Sequence, residues 1–199
     1  VSCFFSKALG LSLIDYSVKI ESYPCHQPQL KKEGSGVLFK KNDKLYVLTS
    51  DHVLFHGTRG EGICHTLLKS HWESPAELVN VHFARGLGVL EVLSAVPPAD
   101  EILSYEELIA VKKIPPEQSS IYVVGYPFSQ NSSFAPSPIV ASGKLLSISR
   151  RHILPLVHSV LEIDAHNEYG MSWSPVFIQT KNIYQVAGML SHQYVQITP

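Results

Sequence analysis

"GSGVLFKKNDKLYVLTSDHVLF", residues 34–55, is the stretch on which the fold turns. Two apolar, β-rich runs flank "KKNDK", and the Asn and Asp within it tolerate left-handed backbone. A β-hairpin is therefore expected, opened by glycine and ending at His52. Its apolar second strand would deliver the imidazole to a barrel edge. A histidine at a strand end is ordinarily structural or solvated. Among the chain's 10 histidines, His52 stands out through this context alone.

Similar short runs recur on both sides of the hairpin. They are "ELVNVHF" (77–83), "LGVLEVL" (87–93), "IYVVGYP" (121–127), "GKLLSIS" (143–149), "SVLEID" (159–164), "SPVFIQ" (174–179), "IYQVAGML" (183–190) and "YVQIT" (194–198). Gly, Pro, Asn and Asp separate them, the pattern of a sandwich or barrel. Helical periodicity is scarce, and "SYEELIAVKK" (104–113) is the best helix-like piece. Prolines in "AVPPADEI" (95–102) and "KKIPPEQSS" (112–120) interrupt the strands, with about half on each side. The expectation is an all-β protein of two small antiparallel barrels. Residues 34–114 would hold the first barrel and its linker, residues 115–199 the second. Residues 1–33 would be a segment packing on both.

Composition narrows the function. The 199 residues are 45% hydrophobic and 17% charged, with net charge -1, so no basic footprint for nucleic acid is present. No apolar run is long enough for a membrane-spanning helix. "VSCFFSKALGLSLI" at the N-terminus is short and broken by Lys7 and Gly10, and reads as an amphipathic element covering the core. Val1 in place of Met is expected of a processed or trimmed chain. Three cysteines are too few for a disulfide scaffold, but one bridge, Cys3 to Cys25, is open to an oxidising compartment. No His/Cys cluster has metal-ligand spacing, so neither metal nor cofactor is expected.

The second chemical signal is "EYGMSWSPVF", residues 168–177. Ser172 stands in a Gly-containing turn between apolar runs, where its hydroxyl would be exposed. A serine is a poor nucleophile without a base and a place for the oxyanion. Gly170 would let backbone N–H groups turn toward developing negative charge. A lone Gly-x-Ser is usually an ordinary turn, and His52 is what changes the weighting.

Together, "SGVLF" and "YVLTSDHVL" with "LEIDAHNEYGMSWSPVF", "VAGMLS" and "IYVVGYP" resemble, in family order, trypsin-like serine proteases of the HtrA type. The resemblance spans roughly residues 34 to 199. It implies a chymotrypsin-like fold, two six-stranded-type antiparallel β-barrels with the active site in the cleft between them. It implies His52 as general base, Ser172 as nucleophile, and the Gly170 and Ser172 amides as the oxyanion hole. His166, Asn167, Ser191 and Gln193 would surround the substrate, favouring a polar or acidic side chain before the scissile bond. A peptide or protein substrate is implied, as is a secreted or extracytoplasmic setting. Beyond the last expected strand the sequence runs only to Pro199, so no appended peptide-binding domain is expected within it.

Two departures bear on activity. Where the family opens a strand with the triad Asp, "RGLGVLEV" (85–92) has Gly86. Glu91 lies an odd number of residues along and should face the other way. Asp51, Glu73 and Asp100 are candidate substitutes, Asp51 the weakest because adjacent strand side chains diverge. After the serine, Trp173 and Ser174 stand where Gly-Gly is usual. Met171 occupies the place of the Asp that digestive proteases pair with their new N-terminus, so that activation switch is not expected. Two functions follow: a slow or selective serine endopeptidase, or a degenerate protease-like module that binds a peptide or protein.

Overall fold

The computed structural model describes residues 13–55, 62–69, 72–83, 86–94, 102–108, 116–127, 137–153, 156–165, 171, 174–180 and 183–190. A 3₁₀ turn, Leu13–Tyr16, leads into β1 (Ser17–Pro24), β2 (Lys32–Lys41) and β3 (Lys44–Ser50). The one-turn helix α1 (Asp51–Leu54) follows, then β4 (Ile63–Lys69), β5 (Trp72–His82), β6 (Leu87–Val92), β7 (Leu103–Ser104) and a second one-turn helix, α2 (Tyr105–Leu108). The remaining strands are β8 (Ser120–Gly125), β9 (Ile139–Ile153), β10 (Leu156–Ala165), β11 (Pro175–Thr180) and β12 (Ile183–Met189).

The expected hairpin is β2–β3, with Lys41 paired to Lys44. Its turn residues Asn42 and Asp43 both have positive φ, 49° and 60°, as a two-residue type I′-like connection requires. Strands in the order β1-β4-β5-β6-β3-β2 close into an antiparallel barrel through the β1–β2 ladder, and β7 adds to β2 in parallel. The second half is a curled antiparallel sheet, ordered β10-β9-β8-β11-β12. This is the two-barrel, chymotrypsin-like arrangement expected from the motifs.

β2 explains why its sequence is apolar on consecutive positions rather than alternating ones. Gly34 through Phe39 are all buried. Leu38 points into the first barrel with Val18, Ile20, Val47 and Leu90. Val37 and Phe39 face the other way, joining Val124, Phe177 and Val186 of the second sheet. A strand buried on both faces reads as a continuous hydrophobic run.

Two expectations are corrected here. Residues 17–24 do not pack on the barrel; they are one of its strands, paired with both β2 and β4. Their alternation, with Val18, Ile20 and Ser22 buried against the half-buried Lys19, Glu21 and Tyr23, is the ordinary signature of a strand. Within the described part of "SYEELIAVKK", residues 104–108, Tyr105–Leu108 is helical as expected and Ser104 belongs to β7. The disulfide is Cys25–Cys64, not Cys3–Cys25. The β1–β4 ladder aligns Tyr23 with Cys64, and the Cys25 amide donates to Gly62 O at 3.0 Å, leaving the two Cα atoms 5.0 Å apart. Cys3 and the run "YVQIT" lie outside the described residues.

The bridge closes a loop of 39 residues. By chain-entropy reasoning it should stabilise the fold by about 2–4 kcal/mol. Cys25→Ala with Cys64→Ala is therefore expected to lower the unfolding free energy by that amount in a denaturant titration. A change under about 0.5 kcal/mol would show that the native bridge does not form.

Across the β1–β2 pair, Lys19 and Lys31 each bridge Glu21 and Glu33 at 2.7–3.1 Å. Burial acts to raise the Glu33 carboxyl. Hydrogen bonds from Lys31 and Lys19 outweigh it and hold the group below its ordinary value. Its stabilising contribution is therefore present at neutral pH and is lost as pH falls through the folded value.

Candidate active site

His52 owes its place to two glycines that seat α1 on the end of the first barrel. A methyl group on Gly34 would fall 2.5 Å from Val53 Cγ2, and one on Gly88 would fall 2.2 Å from Leu54 Cδ1. Val53 and Leu54 thus plug the barrel end while His52, on the opposite side of the turn, is exposed. Ser50 caps the turn: Val53 N–H donates to Ser50 Oγ at 3.3 Å. The same Ser50 Oγ lies 3.0 Å from Nδ1 of His52.

Gly86 meets this turn through its backbone. The Asp51 amide donates to Gly86 O at 3.1 Å, and the Gly86 amide donates to Phe83 O at 3.0 Å. Gly86 has φ 63°, in the left-handed region where glycine carries no steric penalty. Gly86 therefore supports the histidine turn through its peptide carbonyl. Glu91 is paired with Lys44 at 2.6 Å and lies opposite Tyr46, four residues along the β3–β6 ladder from the Ser50–Leu87 pair that precedes His52. Glu73 is exposed on β5, opposite Leu68. Asp51 is in the first turn of α1. Asp100 lies outside the described residues.

On the second sheet the described flanks of Ser172 are firmly held. Met171 is fully buried, and its carbonyl accepts the Ser174 amide at 3.0 Å, the separation of a tight-turn bond. The Ser174 carbonyl in turn accepts the Leu190 amide at 2.9 Å. Ser174 Oγ is buried without a hydrogen-bond partner among the described residues. It fills the space beside Gly125, where an added Cβ would lie 1.7 Å from it and 3.0 Å from Ser35 Oγ. The serine that replaces a customary glycine is thus accommodated because residue 125 has no side chain.

Ser35 joins the two halves. Its Oγ accepts the Tyr126 amide at 3.0 Å, and its carbonyl accepts Thr49 Oγ1 at 2.9 Å. Ser17 Oγ donates to Val124 O at 3.2 Å, and Tyr126 Oη donates to Ser17 O at 3.3 Å. Burial, helped by Asp15, pushes the Tyr126 phenol well above its ordinary value, so it remains a donor at physiological pH. Hydrogen bonds therefore run from Thr49, three residues before His52, through Ser35 to Tyr126, and Ser174, two residues after Ser172, packs against the neighbouring Gly125. Ser35 of the first barrel and Ser174 at the start of the second sheet's β11 thus both border Gly125.

Of the residues proposed from sequence, His52 and Gly86 are brought together in this framework. Ser172, Gly170, His166, Asn167, Ser191, Gln193 and Trp173 lie outside the described residues. Four participants escaped the sequence reading: Ser35, Thr49, Ser50 and Tyr126. Ser50 had a readable signal, because a serine immediately before an apolar turn is a helix N-cap.

A family model described as a trypsin-like peptidase domain matches residues 34–186. Among solved structures, the active form of the Rv3671c protease from M. tuberculosis superposes with TM-score 0.67 at 21% identity, covering 91% of this chain and 71% of that one. Its inactive form gives 0.65 at 20%, covering 92% and 79%. Deg5 gives 0.59 at 17%, covering 82% and 74%. At these identities the likeness is one of fold. A search of curated proteins returned no match.

Proposed function

Since the chain belongs to the trypsin-like peptidase domain family, we propose that it is a serine endopeptidase acting on peptides or proteins, with Ser172 as nucleophile and His52 as base. The observation that carries this reading is the packing at Gly125, where Ser35, bonded to Thr49 just before the His52 turn, and Ser174, two residues after Ser172, lie beside one glycine. Ser172 Oγ would attack the substrate carbonyl as its proton passes to Nε2 of His52. The Gly170 and Ser172 amides would receive the oxyanion, and the imidazolium would then protonate the leaving amine. Gly86 in the carboxylate's position supports a slow or selective enzyme rather than a digestive one. Loss of the carboxylate from such a triad costs about 10⁴-fold in rate, yet the remainder still outpaces water.

The experiment is treatment of the purified protein with a fluorophosphonate beside its Ser172→Ala form, with the adduct located by mass spectrometry. An adduct on Ser172 alone is expected. A folded wild-type protein that never labels would sink the reading.

Gly86 also favours a second function, a protease-like module that holds a peptide without cutting it. Ser172→Ala would then bind partner peptides as wild type does, and both would release them intact. For the setting we propose an oxidising, extracytoplasmic compartment, supported by the Cys25–Cys64 bridge.

A further inference from the structure

The cap of α1 also decides which ring nitrogen of His52 carries the proton. Ser50 is fully buried, and its Oγ has two hydrogen-bond partners among the described residues, the Val53 amide at 3.3 Å and Nδ1 of His52 at 3.0 Å. A hydroxyl has one proton to give and two lone pairs to accept with. The Val53 amide can only donate, so it takes a lone pair. The hydroxyl proton then finds its acceptor in Nδ1. The opposite arrangement, with Nδ1–H donating, would fill both lone pairs and leave a buried proton unpartnered, which is costly. A neutral imidazole that accepts at Nδ1 carries its own proton on Nε2.

We propose that Ser50 donates its hydroxyl proton to Nδ1 of His52, holds the ring as the Nε2–H tautomer, and so acts as a positioning residue that keeps the resting site slow. The consequence for rate rests on the peptidase reading; the tautomer is a property of the fold itself. A base must offer a lone pair at Nε2 to take the Ser172 proton. With Nε2 already protonated, that proton must first pass to water while Nδ1 gains one and the Ser50 hydroxyl turns away. An aspartate at Nδ1 can only accept and imposes Nδ1–H without this step. The wrong tautomer in such a triad costs up to about 10⁴-fold. The device is local, because Ser50 and His52 belong to the same capped turn.

The test begins with the unaltered protein. Long-range ¹H–¹⁵N NMR at about pH 8, where a free imidazole is neutral, reports which nitrogen of each histidine is protonated. The His52 pattern is identified by its absence in His52→Gln. Nε2–H is expected; a predominant Nδ1–H ring overturns the proposal. Ser50→Thr keeps the donor and the cap, and should retain the wild-type pattern. Ser50→Asp keeps the cap but can only accept. It should move the proton to Nδ1 and raise fluorophosphonate labelling of Ser172 at least about 10-fold, the worth of one hydrogen bond. A tautomer change without labelling supports the Ser50 assignment and defeats the peptidase reading. Labelling by a wild-type ring already in the Nδ1–H form does the reverse. Should Ser50→Asp fail to fold, the wild-type spectrum alone still decides.

Discussion

His52→Ala is expected to slow fluorophosphonate labelling of Ser172 by about 10²- to 10⁴-fold, the contribution of a positioned general base. The folded state should be almost untouched. His52 is exposed on the side of α1 facing away from the barrel. Anchoring of the turn falls instead to Val53, Leu54 and the Ser50 cap. The hydrogen bond lost from Ser50 Oγ to Nδ1 can be taken up by water at this exposed position, so stability should change by no more than about 0.5 kcal/mol. Rate and melting temperature should therefore separate cleanly, with labelling nearly abolished and the thermal midpoint within a degree or two. Equal labelling in His52→Ala and wild type would remove the imidazole from the mechanism and leave Ser172 merely accessible. A parallel fall in stability would instead show that the ring props up its turn.

The largest structural effect is expected from Phe177→Ala. Phe177 is fully buried where the halves meet, packed with Val37, Phe39 and Leu103 from the first barrel's sheet and Val124 and Val186 from the second. The Tyr16 ring lies 5.8 Å from it, centroid to centroid. Truncating a buried phenylalanine costs about 3–5 kcal/mol, combining lost transfer energy with the cavity left behind. Guanidinium unfolding should show a lower midpoint by both circular dichroism and tryptophan fluorescence. Because this cluster is shared, the two halves should lose stability together. Two separated transitions, with only one of them shifted, would show that the barrels unfold as independent units. Labelling at Ser172 should fall as well, because Phe177 lies on the strand that Ser174 leads into.

Much of this was legible in the chain itself. The β2–β3 hairpin followed from "KKNDK", since Asn42 and Asp43 supply the backbone that a two-residue turn needs. Nine of the described strands could be seen without reference to a partner, because side-chain preference and turn chemistry act locally. β1 was missed although its alternation is regular. Its N-terminal position and charged Lys19 and Glu21 made it resemble a peripheral segment, whereas its two ladders are what close the first barrel.

The candidate site divides along the same line. His52, Ser172 and the vacancy of charge at Gly86 are matters of residue identity and order, and identity is what a sequence states directly. It also predicted that Glu91 would face away, because strand side chains alternate. Pairing across distance was another matter. Three cysteines could not reveal that Cys25 meets Cys64, for that depends on the β1–β4 register. Ser174 gave no sign that its hydroxyl would pack beside Gly125, 49 residues earlier (174 − 125). Ser50 carried an N-cap signal, but its approach to Nδ1 required the turn to be built. The sequence alone determined the strand-rich class and the reactive residue types, because propensity and chemistry reside in each side chain. Only tertiary structure decided the barrel closure, the disulfide partner and the surroundings of His52. Those depend on which distant backbones lie side by side.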